Sequence, residues 1–272
     1  MTKADAPRLQ GKAVYVAAIL LFATAWAAAP LSAQNVPTVL VQGGTFRMGD
    51  YRYGFRNVTV STFLMASTET TFAQYDSFAH ATNRRLPQDY GWGRGDRPVI
   101  GVSWFDAVAF ANWLSEQDGL IPAYTINGTD VVWNRNATGW RLPTEAEWEF
   151  AARGGTQSRG YTYAGSNEVN TVAWYNQNSN GRIQPVGSKL SNELGLHDLS
   201  GNVSEWVWDW DARYPSNPEA DPTGPASGSK RVTRGGAWFF NAASSSVYYR
   251  MSYHPTDEIN IQGFRLVRSA AR

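Results

Sequence analysis

Apolar residues recur with two different periods along this chain. Ala107, Phe110, Ala111 and Leu114 fall at i, i+3, i+4 and i+7, the spacing of a helix with one buried face. Ser103-Trp-Phe-Asp106 precedes them with an acidic side chain three residues after a serine, which predicts a capped helix start. Thr71 and Gln74 repeat that spacing ahead of Tyr75 and Phe78. Thr144 and Glu147 repeat it ahead of Trp148 and Phe150, so two further helices are expected, the last ending by Gly154-Gly155. Elsewhere the period is two. Thr38 to Gln42 and Thr45 to Met48 flank Gly43-Gly44 and read as a hairpin, and Val58 to Phe63 reads as a further strand. Tyr124 to Ile126 and Val131 to Trp133, around Asn127-Gly128, read as a second hairpin. Beyond Thr156 the helical rhythm stops, and short β-like runs stand among Gly, Asn, Ser and Trp. This pattern fits one mixed domain with a loop-dominated second half.

The N-terminus follows neither period. Lys3, Arg8 and Lys12 lead into an apolar stretch from Ala13 to Leu31 with a small-residue exit at Ala33. These features predict a signal peptide over residues 1–33 and a mature domain over 34–272, periplasmic or secreted. A retained anchor is the alternative, because the stretch is just long enough to span a bilayer. Pro30 and the Ala33-Gln34 junction favour cleavage, leaving no stable membrane insertion. No cysteine follows the stretch to carry a lipid.

Composition narrows the chemistry. The chain holds 12 Trp, 13 Tyr and 25 Gly but no cysteine among its 272 residues. Thiolate nucleophiles, cysteine metal sites and disulfides are excluded. The aromatic residues predict a core built largely of large rings, with carbohydrate binding by exposed tryptophans as the functional alternative. The formal charge is +1, with no basic stripe of the kind nucleic acid requires. Gly-X-Ser-X-Gly and His-X-X-X-His are absent. Arg94-Gly95-Asp96 reads as a polar turn, and the Asn-X-Ser/Thr sites at Asn57, Asn127, Asn136 and Asn202 matter only in a eukaryotic secretory pathway. Gly195-Leu-His-Asp-Leu-Ser-Gly-Asn-Val-Ser-Glu-Trp206 sets two carboxylates, Asp198 and Glu205, around a Gly-Asn turn, an oxygen-rich arrangement suited to a hard cation.

Six motifs occur in order: Gly43-Gly-Thr-Phe-Arg-Met-Gly49, Arg97-Pro-Val-Ile-Gly-Val-Ser-Trp104, Trp140-Arg-Leu-Pro-Thr-Glu-Ala-Glu-Trp148, Gly195 to Trp206, Arg234-Gly-Gly-Ala-Trp238 and Gly263-Phe-Arg265. The chain thereby resembles the formylglycine-generating enzyme (sulfatase-modifying factor) family from about Val39 to Val267. The resemblance implies an α+β fold: a single loop-rich domain related to the C-type lectins, low in regular structure. It also implies structural calcium held by Asp198, the carbonyls of Gly201 and Val203, and Glu205. A second site would fall near Asn178 and the carbonyl of Asn180. The alternative is that Asp198 and Glu205 cap turns or pair with arginines such as Arg231 or Arg234.

Catalysis does not carry over. The family's enzyme uses two cysteines that bind copper. The matching positions are Ala242 and Val247 within Asn241 to Arg250, so neither copper nor formylglycine generation is expected. Three other uses of the scaffold remain. The first is a binding module for a protein or small molecule, as in the variable proteins of diversity-generating retroelements. Trp238, Arg250, Pro255, Gly263, Phe264 and Arg265 would be framework. Phe239, Phe240, Asn241, Ser244, Ser246, Tyr248, Tyr253, His254, Asp257 and Asn260 would form the ligand surface, a mixture suited to adaptable recognition. The second is a cysteine-independent maturation enzyme, as in the pyoverdine siderophore pathway, with His254, Glu258 and Arg250 as catalytic candidates. The third is a spacer in an envelope complex. A monomer is expected.

Overall fold

The computed structural model describes residues 36–270, together with Met1 and Thr2. Apart from Met1 and Thr2, the expected signal peptide lies outside the described residues, and residues 36–270 fall in one compact unit. The strands are β1 (Thr38–Val41), β2 (Gly44–Asp50), β3 (Gly54–Val60), β4 (Phe63–Ala66), β5 (Tyr124–Asn127), β6 (Asp130–Trp133), β7 (Ser204–Trp210), β8 (Glu219–Ala220), β9 (Arg231–Arg234), β10 (Arg250–Tyr253), β11 (Gln262–Phe264) and β12 (Val267–Ser269). The helices are α1 (Phe72–Ala81), α2 (Trp104–Gln117), α3 (Glu145–Ala152) and the single turn α4 (Val169–Val172). Among the described residues four small sheets result, ordered β1-β4-β12, β10-β9-β7-β11, β2-β3-β8 and β5-β6. This is the α+β, loop-rich architecture expected of the family.

Local chemistry explains the helix starts. Thr71, Ser103 and Thr144 each accept the backbone N–H three residues on, and the side chains of Gln74, Asp106 and Glu147 reach back to cap the first N–H in return. The β5–β6 hairpin forms around Asn127-Gly128 as expected.

The Gly43-Gly44 hairpin does not form. β1 pairs with β4, whereas β2 pairs with β3. Gly43 is a crossing point between sheets: a Cβ there would lie 2.6 Å from the Val60 carbonyl oxygen, and its N–H donates to Thr62 Oγ1. The expected strand from Val58 to Phe63 is also divided, because Asp221 accepts from both the N–H and the hydroxyl of Ser61 and holds a corner there.

Two apolar clusters share the interior. One joins α1 and α2 to Trp206 and Phe264, and the other joins β1 to β4 with Trp148, Leu196 and Leu199. Trp104, Trp148 and Trp206 are wholly buried, and none of the described tryptophans is fully exposed. Aromatic burial therefore dominates the core, as the composition implied.

Candidate functional site

The motif from Gly195 to Trp206 folds as a buried knot. Gly201 sits at φ +82° against Trp174, where a Cβ would approach the Trp174 carbonyl oxygen to 2.3 Å, so only glycine fits. Asp198 and Asn202 also take the left-handed conformation, at φ 60° and 56°. Asn202 ties three segments together. Its Oδ1 accepts from Gln184 N–H, its Nδ2 donates to Glu69 Oε2, and its carbonyl accepts from Trp238 N–H.

Glu205, the second residue of β7, has its carboxylate wholly buried. Oε2 accepts from Arg265 Nε and Trp148 Nε1, each at 2.7 Å, and Oε1 accepts from Arg265 Nη2 at 2.7 Å. Arg265 is therefore the arginine that pairs with Glu205, in place of Arg231 or Arg234. Its Nη2 also donates to the His197 carbonyl, which fastens the motif to β11 and its extension.

The predicted calcium donors were tested against this geometry. Asp198 Oδ2 accepts from Gly187 N–H, while its Oδ1 is buried without any hydrogen-bond partner. A buried carboxylate oxygen with no donor is free to ligate a hard cation. Three buried carboxylates, Glu69, Asp198 and Glu205, face the single guanidinium of Arg265. Burial, then Asp198 and Glu205, push the Glu69 carboxyl well above the usual carboxylate range, and burial also raises Asp198. These features fit a hard cation. Glu205 fits less freely, because Oε2 is saturated and only Oε1 retains a lone pair. Among the described residues no three acidic, histidine or cysteine side chains form a metal cluster, so a cation here would rest on two carboxylates and backbone carbonyls. At the second predicted position, Asn178 Oδ1 already accepts from Tyr175 N–H, and Asn180 is an exposed residue at φ 57°.

Two further buried ion pairs anchor the C-terminal segment. Arg234 donates to Glu149 Oε2 at 2.5 Å and to the carbonyls of Val247, Tyr248 and Tyr249, clasping the backbone from below. Arg250 makes a two-pronged pair with Glu145 at 2.8 and 2.9 Å. Burial acts to raise the Glu145 carboxyl, but Arg250 and Arg234 outweigh it and hold that carboxyl below its usual range. Neighbouring Asp209 is pushed up to about 7 by burial and by the Glu145 charge.

Several predicted site residues need correction. Arg250 is buried and committed to Glu145, so it is a positioning residue and not a free catalytic group. Ser244 and Ser246 are buried and bond locally, to Asn241 Oδ1 and the Ala243 carbonyl, so neither belongs to a ligand surface. Asn241 caps the short 3-10 turn Ala242–Ser245, whose compactness turns these serines inward. Val247 lies in the core. Phe239, Asn241 and His254 are exposed, whereas Phe240, Tyr248, Tyr253, Asp257 and Asn260 are half-buried. His254 Nδ1 is engaged with Thr256 Oγ1, and Glu258 is exposed on the same loop, so no enclosed acid–base pair forms there.

Sequence reasoning missed the partners of Phe239. Tyr90, Trp92, Trp238, Phe239 and Phe240 form a continuous aromatic strip, with successive ring centroids 5.5, 4.9, 5.5 and 6.1 Å apart. Phe239 is 62% and Tyr90 47% exposed. Trp238 is fixed by Nε1 donating to the Asn260 carbonyl and by its own carbonyl accepting from Ser179 Oγ, and the Phe240 carbonyl accepts from Asn176 N–H. The only sequence signal for the first half of the strip was the unassigned Tyr-Gly-Trp run at 90–92.

The fold and motifs define a formylglycine-generating-enzyme-type domain without its cysteines. The sulfatase-modifying factor enzyme 1-like domain matches residues 25–270, and the chain belongs to that family. A Paenibacillus barcinonensis protein named chaperone protein LppX is 33% identical over 263 residues, 85% of this chain and 89% of its own length. The Streptomyces coelicolor formylglycine-generating enzyme is 34% identical over 196 residues, 65% of this chain; the chain spans 54% of that enzyme. Among solved structures, Treponema denticola variable protein 1 superimposes with a TM-score of 0.76 at 33% identity, covering 86% of this chain and 95% of its own. CarF does so at 0.70 and 31% identity, covering 87% and 99%. PvdO of Pseudomonas aeruginosa, at 23% identity and a TM-score of 0.67, shares the fold.

Proposed function

We propose that this chain is an exported, calcium-stabilised binding module that presents the aromatic strip and the loops around His254 to a protein or small-molecule ligand. The observation that carries this reading is the strip itself. Trp238 is pinned by hydrogen bonds, and Tyr90 and Phe239 stand open on the same packed strip, an arrangement of aromatic anchors that loses little entropy on binding. Arg234 and Arg250 fix the backbone from Val247 to Arg250 that leads into the His254 loop, which preorganises that part of the surface. The likeness to a variable protein and to a protein named a chaperone supports binding over catalysis, and retroelement-driven variation of the exposed positions fits this reading. The siderophore-maturation alternative finds no support in an exposed His254 and Glu258 beside a neutralised Arg250. Asp198, the carbonyls of Gly201 and Val203, and the free lone pair of Glu205 would hold calcium, and its role would be structural.

The test is a pair of variants, Phe239→Ser and Tyr90→Ser, screened with the wild-type chain on glycan and peptide arrays. Saturable wild-type binding that both variants lose, with unchanged melting temperatures, is expected. Binding that survives both substitutions would overturn the assignment of the surface.

A further inference from the structure

A cleft of about 1120 Å³ lies apart from the aromatic strip, where β12, the Ser61 corner and the loop after β6 meet. The C-terminal binding surface contributes no residue to it. Its volume is in the range of ligand sites and far exceeds that of a single ion.

The charges in the cleft are unevenly paired. Arg141 and Glu147 neutralise each other through a two-pronged pair at 2.6 and 2.7 Å. Asp221 is engaged by Ser61 through both its oxygens. Arg135 donates to the backbone carbonyl of Asp221 at 3.1 Å and lies 5.7 Å from the Trp133 ring, with no carboxylate partner among the described residues. Arg268 has neither an ion pair nor a hydrogen bond among the described residues. Its guanidinium lies 5.5 Å from the Trp140 ring, and its Nε is buried without a partner. A half-buried guanidinium with an unsatisfied donor carries a desolvation cost that a carboxylate would offset with charge-assisted hydrogen bonds. Two guanidinium groups in one cleft therefore lack a carboxylate partner.

The backbone of the cleft is also incomplete. β12 is an edge strand, paired with β4 on one side. On its other side Val267 exchanges both backbone hydrogen bonds with Arg141. In an antiparallel ladder, bonding groups alternate in direction along the strand. The N–H and C=O of Ser269 therefore turn the same way as those of Val267, and no described residue takes them. Ser269 lines the cleft and is exposed.

The geometry points to this cleft as a docking site for an extended acidic polypeptide segment. The segment's backbone bonds Ser269 at the open edge of β12, and its carboxylates pair with Arg268 and Arg135. Strand addition supplies the backbone part of the affinity, and the two arginines supply the preference for acidic side chains.

The test uses the full chain and a short labelled peptide alternating glutamate with valine, followed by fluorescence polarisation. Saturable binding is expected, weakened by added salt and by replacing glutamate with glutamine. Arg268→Gln and Arg135→Gln should each weaken it roughly 10-fold or more, the worth of a hydrogen bond to a charged group. Arg135 is exposed, so Arg135→Gln should retain the wild-type melting temperature and keeps the test decisive if Arg268→Gln folds poorly. Phe239→Ser should leave this binding unchanged, which separates the cleft from the aromatic strip. Equal binding of the glutamine peptide, or indifference to Arg135→Gln, overturns the proposal. Displacement of the peptide by inorganic phosphate as readily as by unlabelled peptide overturns it too, leaving a small-anion site.

Discussion

Arg265→Gln is the substitution that most severely tests the buried framework. Arg265 and Glu205 are both wholly buried, and the arginine donates to Glu205 twice at 2.7 Å, to the His197 carbonyl at 2.8 Å and to the Ala66 carbonyl at 3.3 Å. Glutamine reaches fewer of these acceptors and carries no charge. Glu205 would then stay buried with Asp198 and Glu69 nearby and no guanidinium opposite. Breaking a buried pair in this way costs about 3–5 kcal/mol, against a total stability of roughly 5–15 kcal/mol for a typical domain. Urea denaturation followed by circular dichroism at neutral pH, with calcium fixed, reads the loss as a lower midpoint at an unchanged slope. Pairing the substitution with Glu205→Gln should recover a large part of the loss, because the buried negative charge leaves while an acceptor for Trp148 Nε1 remains. Excess calcium should partly rescue the single variant by supplying positive charge at Asp198. A loss under ~1 kcal/mol, the range of exposed pairs, would refute the view that this pair holds the motif together.

Burial and the Glu145 charge push the native Asp209 carboxyl up to about 7, against near 4 when unfolded, so between those values the native state binds the extra proton. Stability should therefore fall as pH rises across that window. Asp209→Asn should flatten the fall in pH-resolved thermal melts, and an identical slope in variant and wild type would remove Asp209 as its cause. Glu145 acts in a separate window: its carboxyl is held below the usual range, so its stabilisation is present above that range and disappears in acid. Calcium at about 100 times its Kd should add about 2.7 kcal/mol, seen as a fall of several degrees in melting temperature on chelation. No shift, with no calcium by elemental analysis, would remove the metal. Gly201→Ala should cost at least the roughly 1–3 kcal/mol of left-handed strain, measured by urea titration, because its Cβ also meets the Trp174 carbonyl.

What the sequence revealed follows the range of each interaction. Helix starts at Thr71, Ser103 and Thr144 were readable because capping spans three residues, and the β5–β6 hairpin because Asn127-Gly128 makes its own turn. The Gly43-Gly44 hairpin was misread because the same local signal serves a crossing between sheets, and only the distant β4 and β3 decide the pairing. Six separated motifs gave the fold. The site was less legible. Glu69 lies 133 residues from Asn202, and nothing local marks it as the third carboxylate of the cluster. Arg265 rather than Arg231 or Arg234 answers Glu205, since β11 lies parallel beside β7 and directs the arginine that follows it onto that carboxylate. Ser244 and Ser246 looked like paratope by composition, yet a short 3-10 turn buries them. Tyr90 and Trp92 join the surface only through packing onto Trp238, and Arg268 is left without a carboxylate partner by the fold and not by its neighbours in sequence.

The central claim is that this chain keeps the fold of the formylglycine-generating family and has given up its cysteine chemistry. The direct measurement is mass spectrometry of a sulfatase-type cysteine peptide after incubation with the full chain, copper and oxygen, beside an active cysteine-bearing relative. The peptide should remain unmodified with this chain while the relative converts it. Formylglycine appearing in the peptide with this chain would contradict the account.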